Sequence, residues 1–201
     1  MRSAGTPLFV GDDMLLTEID LAIDVGRHLD AVGVRWLVGG SVASSIWGIP
    51  RTTVDLDLVA DLRGQHIKRL YDTLVPDYYA DEDTMHWAVK TRRSFNAIHQ
   101  GTAIKVDIFC AKDEPLGREE LDRRRMLELR GHSVPISSIE DIIIEKLMWY
   151  REAGESERQW RDALGVVEVR RDVLDLEYLN RHATTLDLTE LLSRLLATPT
   201  A

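Results

Sequence analysis

The order of periodic segments predicts an α+β architecture: a small mixed sheet flanked by helices, followed by a helical C-terminal region. Three observations predict it. Short apolar strands alternate with helix-period segments through the first half of the chain, two adjacent apolar runs read as a hairpin, and a long helical tail begins at Ser138.

The elements follow in order. Leu16 to Val32 carries apolar residues at Ile19, Ala22, Ile23 and Leu29, the spacing of one helix face, and Gly33 is placed to stop that helix. Arg35 to Val38 reads as the first strand. Gly39-Gly40-Ser41 then turns the chain into a short helix through Trp47, which Ile49-Pro50 ends because a residue before proline is pushed out of helical geometry. A second strand runs through Val54 to Val59. His66 to Leu74 and Asp83 to Thr91 read as helices, the first halted before Pro76. Ser94 to His99 and Ala103 to Phe109 form the hairpin through Gln100-Gly101. Lys112-Asp113-Glu114-Pro115 is the best boundary and divides a catalytic domain, residues 1–115, from a mostly helical region, residues 116–201. Past it come a charged helix, a short strand at Val134-Pro135-Ile136, and the tail, whose Ser138 and Asp141 form a helix-start capping pair.

The most telling residues lie on the second strand and the hairpin. Asp55 and Asp57 are two apart, so they project from one face of a strand while Val54, Leu56 and Leu58 pack behind them. Adjacent carboxylates repel. A cation between them removes that penalty, and hard oxygen donors suit Mg²⁺ shared with substrate phosphates. Asp107 is flanked by apolar residues in Ala103-Ile104-Lys105-Val106-Asp107-Ile108-Phe109, where an ionised side chain needs a salt bridge, a metal or a proton. Any one of these aspartates alone reads as an ordinary strand residue. Together, after a glycine turn, they read as a metal site.

Gly40-Ser41, thirteen intervening residues and Asp55-Leu56-Asp57, with Asp107 as third carboxylate, resemble the signature of the nucleotidyltransferase superfamily that includes DNA polymerase beta. Within it, Val38-Gly39-Gly40-Ser41, Arg51-Thr52-Thr53-Val54-Asp55-Leu56-Asp57, Lys146 and Arg161-Asp162 resemble the AbiEii and MenT-like toxins of bacterial type IV toxin–antitoxin systems, over most of the chain. Arg161 stands where the toxin pattern tends to carry a lysine. The resemblance implies a nucleotidyltransferase fold and transfer of a nucleoside monophosphate from an NTP to a hydroxyl acceptor, RNA or tRNA in the toxin setting. It also implies two Mg²⁺ ions held by Asp55, Asp57 and Asp107, which are then the catalytic residues, Asp107 helping to draw the acceptor proton. Gly39, Gly40, Ser41, Arg51, Lys146 and Asp162 become nucleotide-binding residues, and a cognate antitoxin becomes a partner.

Several of these residues carry a second, plainer reading. Gly39-Gly40 also serves an ordinary strand-to-helix turn. Lys146, on a largely apolar stripe, can snorkel with its amine in water or bind the triphosphate. Arg51 is a turn-solubilising residue or a phosphate clamp, and Asp162 a helix-surface charge or part of the site. A side chain at Gly40 would occupy phosphate space, so a larger residue there is expected to cost nucleotide affinity and spare the fold. Arg123-Arg124-Arg125, with Arg118 and Arg130, reads as one side of a solvated helix alternating with Glu119, Glu120, Asp122 and Glu128, or as a phosphate-binding rim; Arg92-Arg93 is a second pair. The six histidines show no ligand spacing.

Composition narrows the class further. A chain of 201 residues with 44% hydrophobic content supports a core of ordinary size. The net charge of −9 divides evenly between the halves, which disfavours a duplex-coating protein. Cys110 is alone, so there is no internal disulfide framework, and a reducing cytoplasm is the natural compartment. Leu8-Phe9-Val10, before Asp12 and Asp13, is too short for a signal-peptide core, and no apolar run reaches membrane-helix length. Two other function classes remain beside the toxin-like enzyme: an antibiotic nucleotidyltransferase, whose acidic surface suits cationic drugs, and a non-catalytic nucleotide-binding regulator.

Overall fold

The computed structural model describes residues 13–53 and 55–199; Leu8, Phe9, Val10 and Asp12 of the N-terminal segment, and Val54 of the expected strand, lie outside them. Seven strands among the described residues form one mixed sheet: β1 (Trp36–Val38), β2 (Asp55–Ala60), β3 (Tyr78–Tyr79), β4 (Ser94–His99), β5 (Lys105–Cys110), β6 (Arg125–Leu129) and β7 (His132–Ile136). Their order across the sheet is β3-β4-β5-β2-β1-β7-β6. The helices are α1 (Asp13–Ala31), α2 (Gly40–Trp47), α3 (Gly64–Leu74), α4 (Glu82–Thr91), α5 (Pro115–Arg123), α6 (Ile139–Glu152), α7 (Glu157–Arg170), α8 (Leu176–Thr185) and α9 (Thr189–Ala197). None among the described residues is long and apolar enough to cross a membrane.

Strand alternation sets the two faces of the sheet. Leu56, Leu58 and Ala60 of β2, with Val106 and Ile108 of β5, are fully buried and belong to one core cluster with Ile67, Leu70 and Met85 of α3 and α4. Their neighbours in sequence, Asp55, Asp57 and Val59, face the other way. On that second face Val59 packs with Leu37, Ala111 and Leu121 in a smaller cluster beneath α5. The carboxylates thus stand on a face whose far end is apolar and covered.

The expected hairpin is present as the antiparallel pair β4–β5, and β5 lies parallel to β2. Gly33 has φ +74° just past the end of α1, the conformation for which a glycine stop is suited. As expected, α2 runs through Trp47. Its C-cap is Gly48, and a Cβ there would stand 2.6 Å from the backbone nitrogen of Val166 in α7. Glycine at that position lets two helices touch backbone to backbone.

Downstream of Pro115 the chain does more than form helices. β7 pairs parallel with β1 at Val38↔Ile136, and β6 extends the same sheet at its edge. The charged helix expected to carry Arg123-Arg124-Arg125 and Glu128 is two elements: α5 ends at Arg123, and Arg125 and Glu128 belong to β6. Alternating charges hid the strand, because at a sheet edge a half-exposed strand needs little apolar content. Ser138 caps α6 as expected, its hydroxyl accepting from the Asp141 amide at 3.2 Å.

Replacing Gly48 with alanine should force α2 away from α7 and lower stability by about 1–3 kcal/mol, the usual cost of overpacking a tight contact. Urea denaturation measures it, and a wild-type midpoint in Gly48→Ala would contradict the close approach.

Candidate active site

Parallel pairing brings the three expected carboxylates onto one patch. In the β2–β5 register Asp57 lies beside Asp107, and Asp55 lies beside Lys105. The period of two then puts all four side chains on the same face, three acids and one lysine. Lys105 Nζ donates to Asp107 Oδ2 at 2.6 Å and lies 3.9 Å from Asp55 Oδ1. Burial pushes the Asp57 carboxyl above its ordinary range, and the neighbouring Asp107 adds to that, against a lowering pull from Lys146. Hard carboxylate oxygens fit a divalent cation of the Mg²⁺ class. As they stand, no three His, Cys, Asp or Glu side chains among the described residues are gathered closely enough to cage an ion.

The start of α2 is joined to this patch. Gly39 donates its backbone N–H to the Asp57 carbonyl at 2.9 Å, and the Ser41 amide donates to the Asp57 side chain. Gly40 has φ +55°, and a Cβ on it would stand 1.9 Å from Asp57 Oδ2. The expectation that a larger residue at Gly40 spares the fold is therefore corrected: such a side chain meets Asp57 and a backbone conformation that favours glycine. On its other side the Gly40 amide donates to Glu145 Oε2 at 3.4 Å. Glu145 sits where a helix N-terminus attracts an anion. Burial pushes its carboxyl up to about 7, against a lowering pull from Lys146.

Arg51, Lys146 and Asp162 converge on the hydroxyl of Ser41. The Arg51 guanidinium grips Asp162 with two bonds, Nε at 2.7 Å and an Nη at 2.8 Å, and donates to Ser41 Oγ at 2.6 Å. Lys146 Nζ lies 3.0 Å from Asp162 Oδ2 and donates to Ser41 Oγ at 3.4 Å. The Lys146 side chain is 2% exposed and that of Asp162 5%. Both plain readings fail here: Lys146 does not snorkel into water, and Asp162 is not a helix-surface charge. Burial alone would raise the Asp162 carboxyl, but Arg51 and Lys146 outweigh it and hold it below its ordinary value.

A cavity of about 320 Å³ opens beside Gly40 and Asp57, walled by Val59, Phe109, Ile144 and Trp149. The carboxyl-bearing residues Glu120, Asp141 and Glu145 also line it. Burial raises the first two as well, Glu120 well above the usual carboxylate range. Glu145 and Lys105 were not singled out in the sequence, and Glu120 was read there only as a charge on a solvated helix. Lys105 had a signal, because it stands two residues before Asp107 and so shares its strand face; Glu120 and Glu145, on charged or mixed helix segments, had none.

Three of the clustered or paired arginines, Arg123, Arg130 and Arg92, are held by acidic partners of the chain's own. Arg123 bonds Glu140 at 2.8 Å and stacks on Tyr178 with its guanidinium 3.8 Å from the ring centroid. Arg130 pairs with Asp20, and Arg92 with Asp113.

A sequence model of the family described as "Nucleotidyl transferase AbiEii toxin, Type IV TA system" matches residues 29–199. Among solved structures, the chain is similar to an antigenic nucleotidyltransferase-like protein from Paracoccidioides brasiliensis at 18% identity and TM-score 0.56, covering 94% of this chain and 95% of that one. It is similar to ANT(2'')-Ia in complex with adenylyl-2''-tobramycin at 15% identity and TM-score 0.55, covering 85% and 97%. The lincosamide antibiotic adenylyltransferase LnuA, lincomycin-bound, matches at 15% identity and TM-score 0.52, covering 76% and 96%. At these identities the likeness is one of fold. No protein of curated function matches.

The raised Glu145 carboxyl has a pH signature. A carboxyl whose folded pKa exceeds its unfolded value binds its proton more tightly in the folded state, so its contribution is full at low pH and is lost as pH rises through about 7. Melting temperatures of the metal-free protein should therefore fall across that window, and Glu145→Gln should flatten the fall. An unchanged pH slope in the variant would contradict the raised Glu145 carboxyl.

Proposed function

The chain belongs to the AbiEii nucleotidyl transferase toxin family and is a nucleotidyltransferase, and on that premise we propose that it transfers a nucleoside monophosphate from an NTP to an RNA hydroxyl. The observation that supports this most is the pairing of Asp57 with Asp107 beside the Gly39-Gly40-Ser41 turn, with Asp55 on the same face. Asp55, Asp57 and Asp107 would hold Mg²⁺. When bound, the metal neutralises charge that develops on the attacking and leaving oxygens of an in-line displacement.

The chain's own groups have the remaining tasks. Asp107, at 16% side-chain exposure, would take the proton of the incoming hydroxyl. The amide of Gly40 and the hydroxyl of Ser41 start a helix and can donate to phosphate oxygens once Glu145 gives way. Arg51 and Lys146 fix the Ser41 hydroxyl and, with Asp162 balancing one of them, leave one net positive charge on the triphosphate side of the site. On this reading residues 1–115 supply the carboxylates and the turn. Residues 116–201 complete the nucleotide site through Lys146 and Asp162.

A toxin with an antitoxin partner is the setting that the family suggests, and a cytoplasmic location is part of the proposal. A second reading has one observation in its favour. The acid-lined cavity, with Phe109 and Trp149 in its wall, suits a small cationic acceptor better than a polyanion. The solved structures of ANT(2'')-Ia and LnuA contain adenylylated tobramycin and lincomycin, respectively.

One assay separates the two. The protein is incubated with Mg²⁺, each α-labelled NTP, and either total RNA or an aminoglycoside. Label on RNA is expected, with Asp57→Asn reducing it by at least about a hundredfold, the scale on which losing a charge-stabilising group acts. Label on the aminoglycoside alone would overturn the RNA reading, and equal labelling by Asp57→Asn would overturn the site.

A further inference from the structure

Four side chains share the carboxylate patch, and one of them is a cation. Asp55, Asp57, Lys105 and Asp107 occupy two rungs of the parallel β2–β5 ladder, separated by the Leu56–Val106 rung that faces the other way. Lys105 is paired in register with Asp55, yet its ammonium reaches along its own strand to Asp107, 2.6 Å away, while staying 3.9 Å from Asp55. It therefore lies between two of the three carboxylates, where a cation shared by them would lie. Without it the patch would hold three crowded negative charges, a repulsive arrangement. The Lys105 side chain is 40% exposed, so the ammonium can leave for solvent, and the incoming ion takes its place beside Asp107, whose side chain is 16% exposed.

We propose that Lys105 is the resident counter-cation of the carboxylate patch and that a divalent ion binding there displaces its ammonium from Asp107. This rests on the metal-binding reading of Asp55, Asp57 and Asp107 given above. Lys105 is a positioning residue in this account: it holds Asp107 toward the patch before metal arrives and competes with the metal for the same oxygens. A freed lysine a few ångströms from the ions is also positioned to meet the phosphates they carry.

Three measurements on the full chain test it, using Mg²⁺ and Mn²⁺ alone as probes. In ¹⁵N spectra of the lysine side chains, the Lys105 ammonium signal, assigned by its absence in Lys105→Met, should move toward that of a free lysine as Mg²⁺ is added. Lys105→Met should bind Mn²⁺ roughly tenfold more tightly than wild type, since a unit charge a few ångströms from the ion is gone. Its metal-free melting temperature should fall, and Mg²⁺ should restore it by more than it raises that of wild type. A Lys105 signal that stays put while Mg²⁺ binds, or equal Mn²⁺ affinity in Lys105→Met, would overturn the proposal. If Asp57→Asn still abolishes Mn²⁺ binding, only the role of Lys105 fails; if wild type takes up no Mn²⁺, or Asp57→Asn binds it equally well, the metal-binding reading fails with it.

Discussion

The buried carboxylate of Asp162 is the point on which the site depends. It lies on α7, and its two cations come from elsewhere: Arg51 from the segment between α2 and β2, Lys146 from α6. A charge 5% exposed is tolerated only with partners of this quality, and once paired it fixes the relative placement of all three segments. Ser41 inherits that order, because Arg51 and Lys146 both donate to its hydroxyl. The glycine contact between α2 and α7 at Gly48 and the Trp47 indole, which donates to the Ser137 carbonyl at 2.7 Å, act at the other end of the same helix. The turn that begins α2 is thereby held against β2, and the Asp57 carboxylate is held beneath it.

Charges within the site have internal partners. An internal anion, Glu145, lies at the α2 N-terminus, and an internal cation, Lys105, lies among the aspartates. Each is of the sign that a bound metal–nucleotide would bring to that position: negative charge to the amides, positive charge to the carboxylates. This economy follows from electrostatics, since a preformed pocket of unpaired charges would be costly to fold. On the proposed reading of the site, binding is an exchange of partners. Its cost is set by how readily two partly exposed side chains swing away.

Much of this was legible in the sequence, for identifiable reasons. A strand period of two is rigid, so Asp55 and Asp57 had to share a face, and the apolar run around Asp107 had to be a strand beside them. Ser138 and Asp141 marked the start of α6 because capping is a local interaction. The sequence misled where tertiary contacts outweigh local pattern. Lys146 kept two readings, a snorkelling amine or a triphosphate contact, because its partner Asp162 lies sixteen positions away on the next helix. Arg123 looked solvated because Glu140 and Tyr178 reach it only after the chain has folded back. Strand β6 was hidden within alternating charges, and Gly40 was read for phosphate space when the nearest atom to its missing side chain belongs to Asp57.

The central claim is that Asp162 joins the C-terminal helices to the turn and strand that carry the remainder of the site. Asp162→Asn keeps the shape and removes the charge, leaving Arg51 and Lys146 without their anion. Urea unfolding of this variant should show a loss of about 3–5 kcal/mol, the scale for breaking a buried ion pair, together with weaker binding of a nonhydrolysable NTP. Stability within about 0.5 kcal/mol of wild type, the range of an ordinary surface substitution, would contradict the claim.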